Sequence, residues 1–173
     1  MTATLTRTDV LDLADCHDVA MVGEKAHTLG RLLRAGYRVP NGVVLTTEVF
    51  ARHYADGVTV CRSLDDFTLS MLAATAPSSS LGPLVVRSSA VGEDGAAQSF
   101  AGQLESVLHV RDVAALERAV IQVWTSYWSE RVRFYRNARG AAAAGMGVVV
   151  QRQVDACVAG VMFTATDEGH ILV

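Results

Sequence analysis

Cysteine and long apolar runs are both scarce in this sequence. The three cysteines, Cys16, Cys61 and Cys157, lie far apart in a chain of 173 residues, and none belongs to a CxxC pair. This spacing argues against both a disulfide framework and a zinc site. No segment approaches the run of about 18 apolar residues that a membrane helix needs, and the N-terminus lacks the apolar core of a secretory signal. We therefore expect a protein of a reducing compartment, the cytoplasm.

An excess of positive charge is also missing. The 15 Lys and Arg residues are scattered along the chain and are outnumbered by 18 Asp and Glu residues, so the net charge is −3. This balance gives no electrostatic reason to bind nucleic acid, and we expect a small-molecule ligand instead. Neither a Walker A loop nor a GxGxxG fingerprint occurs. Hydrophobic residues make up 50% of the chain, enough for the core of one domain or of part of a larger one.

The most informative stretch is residues 84–110, in which two apolar segments flank a glycine-bearing loop. The first segment ends in Arg87–Ser89, and the loop contains Gly92, Gly95 and Gly102. A guanidinium can bind phosphate oxygens through two parallel hydrogen bonds, and glycines let backbone N–H groups approach the same oxygens. The stretch therefore predicts a phosphate site. A structural carboxylate as the partner of the arginine is the alternative.

Hydrophobic spacing predicts alternating helices and strands. Helices are predicted at 24–35 with Gly36 at the end, from a cap at Thr47 to about 54, at 63–76, and from a cap at Asp112 to Gly140. Strands are predicted at 43–46, at the run ending in Arg87, at 147–154, at 158–165 and at 171–173. Trp124 and Tyr127 fall on the apolar side of the last helix, so we expect them in the core rather than stacked on a ligand.

Several blocks of the sequence together resemble one family. They are VGEKAHTLGRLLRAGYRVPNGVVLTTEVF, LVVRSSAVGEDGAAQSFAGQLESVLHV, VWTSYWSERVRFYR, VVVQRQV and AGVMFT, in that order over residues 19–166. They are similar to the N-terminal ATP-binding region of the phosphoenolpyruvate synthase, pyruvate phosphate dikinase and rifampin phosphotransferase family. The resemblance implies an α+β fold, the N-terminal part of an ATP-grasp domain over 19–173, preceded by an extension at 1–18. The expected sheet is mixed, with flanking helices, and incomplete at its C-terminus.

The resemblance also implies roles for individual residues. Lys25 matches the lysine of the family's V-G-G-K motif, where Glu24 replaces the second glycine, and together with Arg87 it is implied to act catalytically on the ATP phosphates. The implied nucleotide-binding residues are Lys25, Arg87, Gly102, Gln103, Ser106, Gln151 and Thr164. Without the resemblance, Lys25 reads as an ordinary exposed lysine, Gln151 as a solvent-facing strand residue and Gly102 as part of a tight turn.

The activity implied is that of an ATP-dependent phosphotransferase. In such an enzyme ATP lies between two α+β subdomains and phosphorylates a histidine on a separate swivelling domain, for transfer to pyruvate or another small acceptor. The implied cofactors are ATP and Mg²⁺, with the magnesium ligands beyond Val173 because no clustered carboxylate pair suits the ion. None of the five histidines lies in a phospho-acceptor motif. The histidine domain and the remaining ATP-grasp half are therefore expected elsewhere on the parent chain or on a separate polypeptide.

A non-catalytic nucleotide-binding or partner-binding module is the alternative interpretation. Glu24 favours it, because a carboxylate and a stiffer backbone beside Lys25 are unlike the family's motif. The predicted final strand, Ile171–Val173, would leave an open sheet edge. We therefore also expect self-association or the binding of a complementary chain.

Overall fold

The computed structural model describes residues 9–53, 83–92, 105–128 and 145–158, together with the backbone of 94–95 and 98–99. Its strands are β1 Val10–Asp12, β2 Gly42–Leu45, β3 Leu84–Ala90, β4 Asp94–Gly95, β5 Gln98–Ser99, β6 Ser106–Val110 and β7 Met146–Arg152. Its helices are α1 Val19–Arg34, α2 Thr47–His53 and α3 Val113–Ser126, and a single 3₁₀ turn spans Leu13–Asp15. The predicted elements at 63–76, 158–165 and 171–173, and the end of the long helix beyond 128, lie outside the described residues.

Five strands form one sheet in the order β1-β2-β7-β3-β6, while β4 and β5 form a separate two-stranded antiparallel sheet. Every neighbouring pair in the described part of the five-stranded sheet is antiparallel. The α+β class is confirmed, but these strands do not form the mixed sheet that the sequence predicts. Apolar spacing does not report strand direction, because strands buried on both faces are apolar in parallel and antiparallel sheets alike. Strand β7 lies at the centre, and all its residues except Arg152 are buried.

Helices cover both faces of the sheet, and each face has its own core. Side chains alternate between the faces along a strand, so Val148 and Val150 pack with α2 and α3, whereas Val149 packs beneath α1. The α2 and α3 face holds the aromatic residues Phe50 and Trp124. The prediction that Trp124 and Tyr127 belong to the core is confirmed, with 0% and 4% of their surfaces exposed.

The helix ends follow the sequence signals in part. Helix α3 is capped by Asp112, whose Oδ1 accepts a hydrogen bond from the N–H of Ala115 at 2.7 Å, as predicted. Gly36 follows α1 with φ +84°, the left-handed conformation typical of a glycine after a helix. The cap predicted at Thr47 is wrong. Thr47 is the first residue of α2, and its hydroxyl donates to the carbonyl of Ala20 at 2.8 Å, which ties α2 to α1.

Residues from the segment predicted as an N-terminal extension take part in this fold. Strand β1 pairs with β2 at the sheet edge, and Leu13 and Cys16 are buried beneath α1. Asp9 is fully buried and forms an ion pair with Arg52 at 2.9 Å. The boundary between residues 18 and 19 stays a prediction. Within the described ranges, no helix is long and apolar enough to cross a membrane.

Candidate phosphate site between α1 and β3

Helix α1 is interrupted at Gly23, where it meets strand β3. Gly23 has φ +78° and ψ +170°, which are not helical values, and the helix restarts at Glu24. A Cβ at this position would lie 1.8 Å from the carbonyl oxygen of Ser89. Because only glycine combines this conformation with so close a backbone approach, Gly23 brings the start of the second helical segment against the strand.

Two serines of β3 contact the restarted helix. The ammonium of Lys25 donates a hydrogen bond to Oγ of Ser88 at 3.3 Å. The backbone N–H of Ala26 donates to Oγ of Ser89 at 3.0 Å. The structure thus places the predicted phosphate-binding lysine directly on the strand that carries Arg87, although the two residues are 62 positions apart by their sequence numbers (87 − 25).

Arg87 lies in the middle of β3 and is half-buried. It is opposite Val149 of β7 on one side and Ser106 of β6 on the other, so these three side chains share a face of the sheet. The alternative role predicted for Arg87 is an ion pair with a structural carboxylate. No such ion pair, and no side-chain hydrogen bond, joins Arg87 to the residues that the structure describes.

The backbone at Glu24 has no conformation that requires glycine. Among the described residues, His109 is the one non-glycine residue with positive φ, so Glu24 has an ordinary backbone conformation. The position that requires glycine is the first of the two in the family's V-G-G-K motif, and Gly23 occupies it. The backbone at Glu24 therefore does not need the conformational freedom of a glycine. Its carboxylate remains next to Lys25 in the sequence.

Gln151 is almost fully buried, with 4% of its surface exposed, so its interpretation as a solvent-facing strand residue is wrong. Its Nε2 donates a hydrogen bond to the carbonyl of Pro40 at 2.7 Å. In β7 it follows Val149 by two residues and therefore lies on the same face as Arg87. Diagonal neighbours of this kind have Cα atoms about 7–8 Å apart. Arg87 and Gln151 could therefore contact different parts of one small molecule.

The other predicted site residues are less fully placed. Ser106 is the exposed first residue of β6, beside Arg87. Gly102, Gln103 and Thr164 lie outside the described residues. Over the ranges that the structure describes, no three His, Cys, Asp or Glu residues are grouped to hold a metal ion.

Ser88 and Ser89 have roles that the sequence interpretation missed. Both are fully buried, and both accept hydrogen bonds from α1. The available signal was a pair of hydroxyl residues ending an apolar strand, because buried hydroxyls need hydrogen-bond partners. The sequence could indicate that need without identifying the partner.

Elsewhere under α1, burial raises the pKa of the Cys16 thiol to about 12, so this cysteine is not an activated nucleophile.

Comparison with known proteins identifies the family. Residues 60–171 match the family model described as pyruvate phosphate dikinase, AMP/ATP-binding domain. The chain belongs to this family. The resemblance found in the sequence motifs is thereby confirmed, and the chain is assigned to a family of ATP-binding domains found in phosphotransferases.

Three relatives illustrate the breadth of the family. The prodigiosin synthesizing transferase PigC of Serratia marcescens is 37% identical over 174 residues, which cover 88% of this chain and 19% of PigC. A rifampicin phosphotransferase of Streptomyces sviceus is 33% identical over 192 residues, covering 90% of this chain and 22% of the relative. A phosphoenolpyruvate synthase of Aeropyrum pernix is 31% identical over 183 residues, covering 83% and 22%. The chain thus spans about a fifth of the length of these relatives.

Proposed function

We propose that this chain forms one wall of an ATP site in a phosphotransferase of the phosphoenolpyruvate synthase-like family. ATP bound there would phosphorylate a histidine on a separate swivelling domain, which would pass the phosphoryl group to pyruvate or another small acceptor. The observation that carries the proposal is the contact of Lys25 with β3, beside Arg87. It brings Lys25 into contact with the strand that carries Arg87, although the two residues are distant in the sequence, and this supports a site for polyphosphate.

The two cations suit different tasks. Lys25 presents a compact positive charge in the first turn of the restarted helix, where backbone N–H groups also favour an anion. Arg87 presents a planar fork that can bind two phosphate oxygens at once. Gln151, on the same sheet face as Arg87, would bind the base edge with the part of its amide that Pro40 does not use. We propose that Gly102, Gln103, Ser106 and Thr164 complete the contacts to the nucleotide.

Magnesium is the part of the proposed site that the described residues do not fit, since they contain no cluster of metal-binding side chains. Mg²⁺ commonly binds one or two carboxylates together with substrate phosphates. We propose that its ligands belong to the remaining ATP-grasp half, together with the second wall of the cleft. No step assigned to Lys25 or Arg87 depends on the ion.

Binding measurements on the 173-residue chain test the ATP site. If the second wall and the metal ligands lie elsewhere, as proposed, the chain should bind ATP with a dissociation constant weaker than about 100 μM and should not hydrolyse it above background. Arg87→Lys keeps the charge but loses the fork, so it should weaken ATP binding about tenfold with an unchanged thermal midpoint. Tight binding or robust phosphate release by the parent chain would contradict the one-wall arrangement. Affinity of the variant within twofold of the parent would show that Arg87 does not bind phosphate.

Phosphoryl transfer is tested by reconstitution. The chain would be mixed with a polypeptide that carries the family's remaining ATP-grasp half and histidine domain, followed by pull-down and a phosphohistidine assay. We expect capture of the partner and ATP-dependent phosphorylation of its histidine. In the assembled enzyme, Arg87→Lys should slow transfer roughly tenfold to a thousandfold. Failure of both capture and phosphorylation would favour the non-catalytic module, for which the Glu24 carboxylate beside Lys25 remains the supporting observation.

A further inference from the structure

Two consecutive serines of β3 contact one turn of α1 by different routes. Ser88 accepts a hydrogen bond from the side chain of Lys25, at 3.3 Å, and Ser89 accepts one from the backbone of Ala26, at 3.0 Å. Both serines have 0% of their surface exposed. The partner residues are adjacent in the first turn after the helix restarts, so both contacts act where the proposed phosphate-binding lysine is anchored.

The restarted helix has no capping side chain of its own at the interruption. The first N–H groups of a helix lack partners within it, and a side chain just before the helix usually accepts from one of them. Gly23 has no side chain, and it cannot acquire one, because a Cβ there would lie 1.8 Å from the carbonyl oxygen of Ser89. Ser89 supplies the missing acceptor from the neighbouring strand. The close approach of the Gly23 backbone to β3 therefore excludes a capping side chain at position 23. It also brings the Ser89 hydroxyl close enough to cap the helix.

We propose that Ser88 and Ser89 are positioning residues that direct Lys25 towards the ATP phosphates. This inference rests on the proposed function, in which Lys25 binds phosphate. Ser89 holds the helical turn from which the side chain leaves. Ser88 restricts the ammonium at the end of a long, flexible stem, which would otherwise sample many positions. Preorganisation of this kind reduces the ordering that ATP binding would otherwise require.

The test compares ATP with adenosine, because Lys25 is proposed to act on phosphate alone. NMR titrations of the full chain, without added metal, would give both dissociation constants for the parent, Ser88→Ala and Ser89→Ala. Each variant should weaken ATP binding about three- to tenfold, the size expected for one lost hydrogen bond, and should leave adenosine binding within twofold. A purely structural serine would change both affinities together or neither.

A double-mutant cycle shows whether the effect passes through Lys25. Lys25→Met should weaken ATP binding, and addition of Ser88→Ala to Lys25→Met should then cause no further loss. Cys16→Ala is the matched control, because Cys16 is a buried hydrogen-bonding residue beneath the same helix, outside the contacts to Lys25 and Ala26. It should lower the thermal midpoint without changing the ratio of the ATP and adenosine affinities.

The possible failures are distinguishable. If Lys25→Met weakens ATP binding but neither serine variant does, the positioning inference is wrong and the proposed function stands. If Lys25→Met leaves ATP binding unchanged, Lys25 does not bind phosphate and both are wrong. Circular dichroism would first establish that Ser89→Ala folds. If it does not fold, Ser88→Ala and its combination with Lys25→Met decide the question.

Discussion

The two faces of the five-stranded sheet are packed by different means. On one face, α2 and α3 bury an aromatic group in which Phe50 lies 6.0 Å from Trp124, 5.1 Å from Tyr127 and 6.2 Å from Trp128, measured between ring centroids. On the other face, α1 is interrupted at a glycine, and the backbone N–H of Ala26 is held to β3 by the hydroxyl of Ser89. The first face shows regular apolar packing. The second combines an apolar core with polar contacts of defined geometry.

The two faces of the sheet therefore meet two different requirements, which are stability of the fold and the placement of a charged side chain. Apolar packing is non-directional, so it stabilises the fold without placing any one charge. Hydrogen bonds and a close backbone approach are directional, and they fix the position of the Lys25 backbone relative to β3. We infer that the α2 and α3 face mainly determines stability, while the contact of α1 with β3 determines the geometry of the proposed site. Four substitutions test this division.

Gly23→Ala should have the largest effect. It adds a Cβ that would lie 1.8 Å from a backbone oxygen and imposes φ +78° on a residue with a side chain. We expect a loss of about 4 kcal/mol or more in the free energy of unfolding, measured by urea denaturation. Gly36→Ala is the control, since Gly36 has φ +84° but no atom within 4 Å of the added group. It should lose only about 1 kcal/mol. Equal losses would show that the close approach to β3 is unimportant.

Phe50→Ala should come next. Phe50 is 4% exposed and contacts three aromatic rings, so its removal leaves a cavity in the larger core. We expect a loss of about 3 kcal/mol in the free energy of unfolding, with ATP affinity unchanged under conditions where the variant is folded. A large change in the ATP affinity of the folded variant would contradict the inference that the α2 and α3 face determines stability but not the geometry of the site.

Asp112→Ala should have a smaller effect on the same face. It removes the carboxylate that caps α3 through the N–H of Ala115. The expected loss is about 1 kcal/mol in the free energy of unfolding, with no change in ATP affinity. Asp112→Asn, which keeps an acceptor oxygen, is the control and should retain most of the stability. Similar losses for the two variants would contradict the capping role.

Glu24→Gln should leave stability nearly unchanged and act on ligand binding. It removes one negative charge beside Lys25 while keeping the shape of the side chain. We expect ATP to bind about two- to fivefold more tightly at low salt, with the gain reduced at high salt by screening. Glu117→Gln in α3 serves as a charge-matched control on the opposite face. A gain of equal size in both variants would indicate net charge rather than a local effect at the phosphate site.

Much of the local structure could be predicted from short stretches of sequence. The cap at Asp112, the glycine after α1 and the burial of Trp124 depend on neighbouring residues and on helical periodicity, which the sequence displays directly. Strand direction could not be predicted this way. Nor could the contact of Thr47, whose hydroxyl donates a hydrogen bond to the carbonyl of Ala20, a residue 27 positions away.

The candidate site was predictable by residue type but not by arrangement. The motifs singled out Lys25 and Arg87 because their chemistry suits phosphate. They did not indicate that Ser88 and Ser89 would hold the helix that carries Lys25, since those contacts join residues 63 positions apart. Nor did they indicate which of the two glycine positions in the V-G-G-K motif must be occupied by glycine. That depends on the distance between the Gly23 backbone and β3, which exists only after folding.

The sequence by itself determined the family, the apolar segments and the cations suited to phosphate, because these follow from residue chemistry and short-range spacing. Tertiary structure decided the antiparallel order of the sheet, the burial of Gln151 and the contact of α1 with β3. These features depend on which distant backbone segments approach one another. The free energy of such an approach comes from the packing of the whole sheet, so no local pattern of residues specifies it.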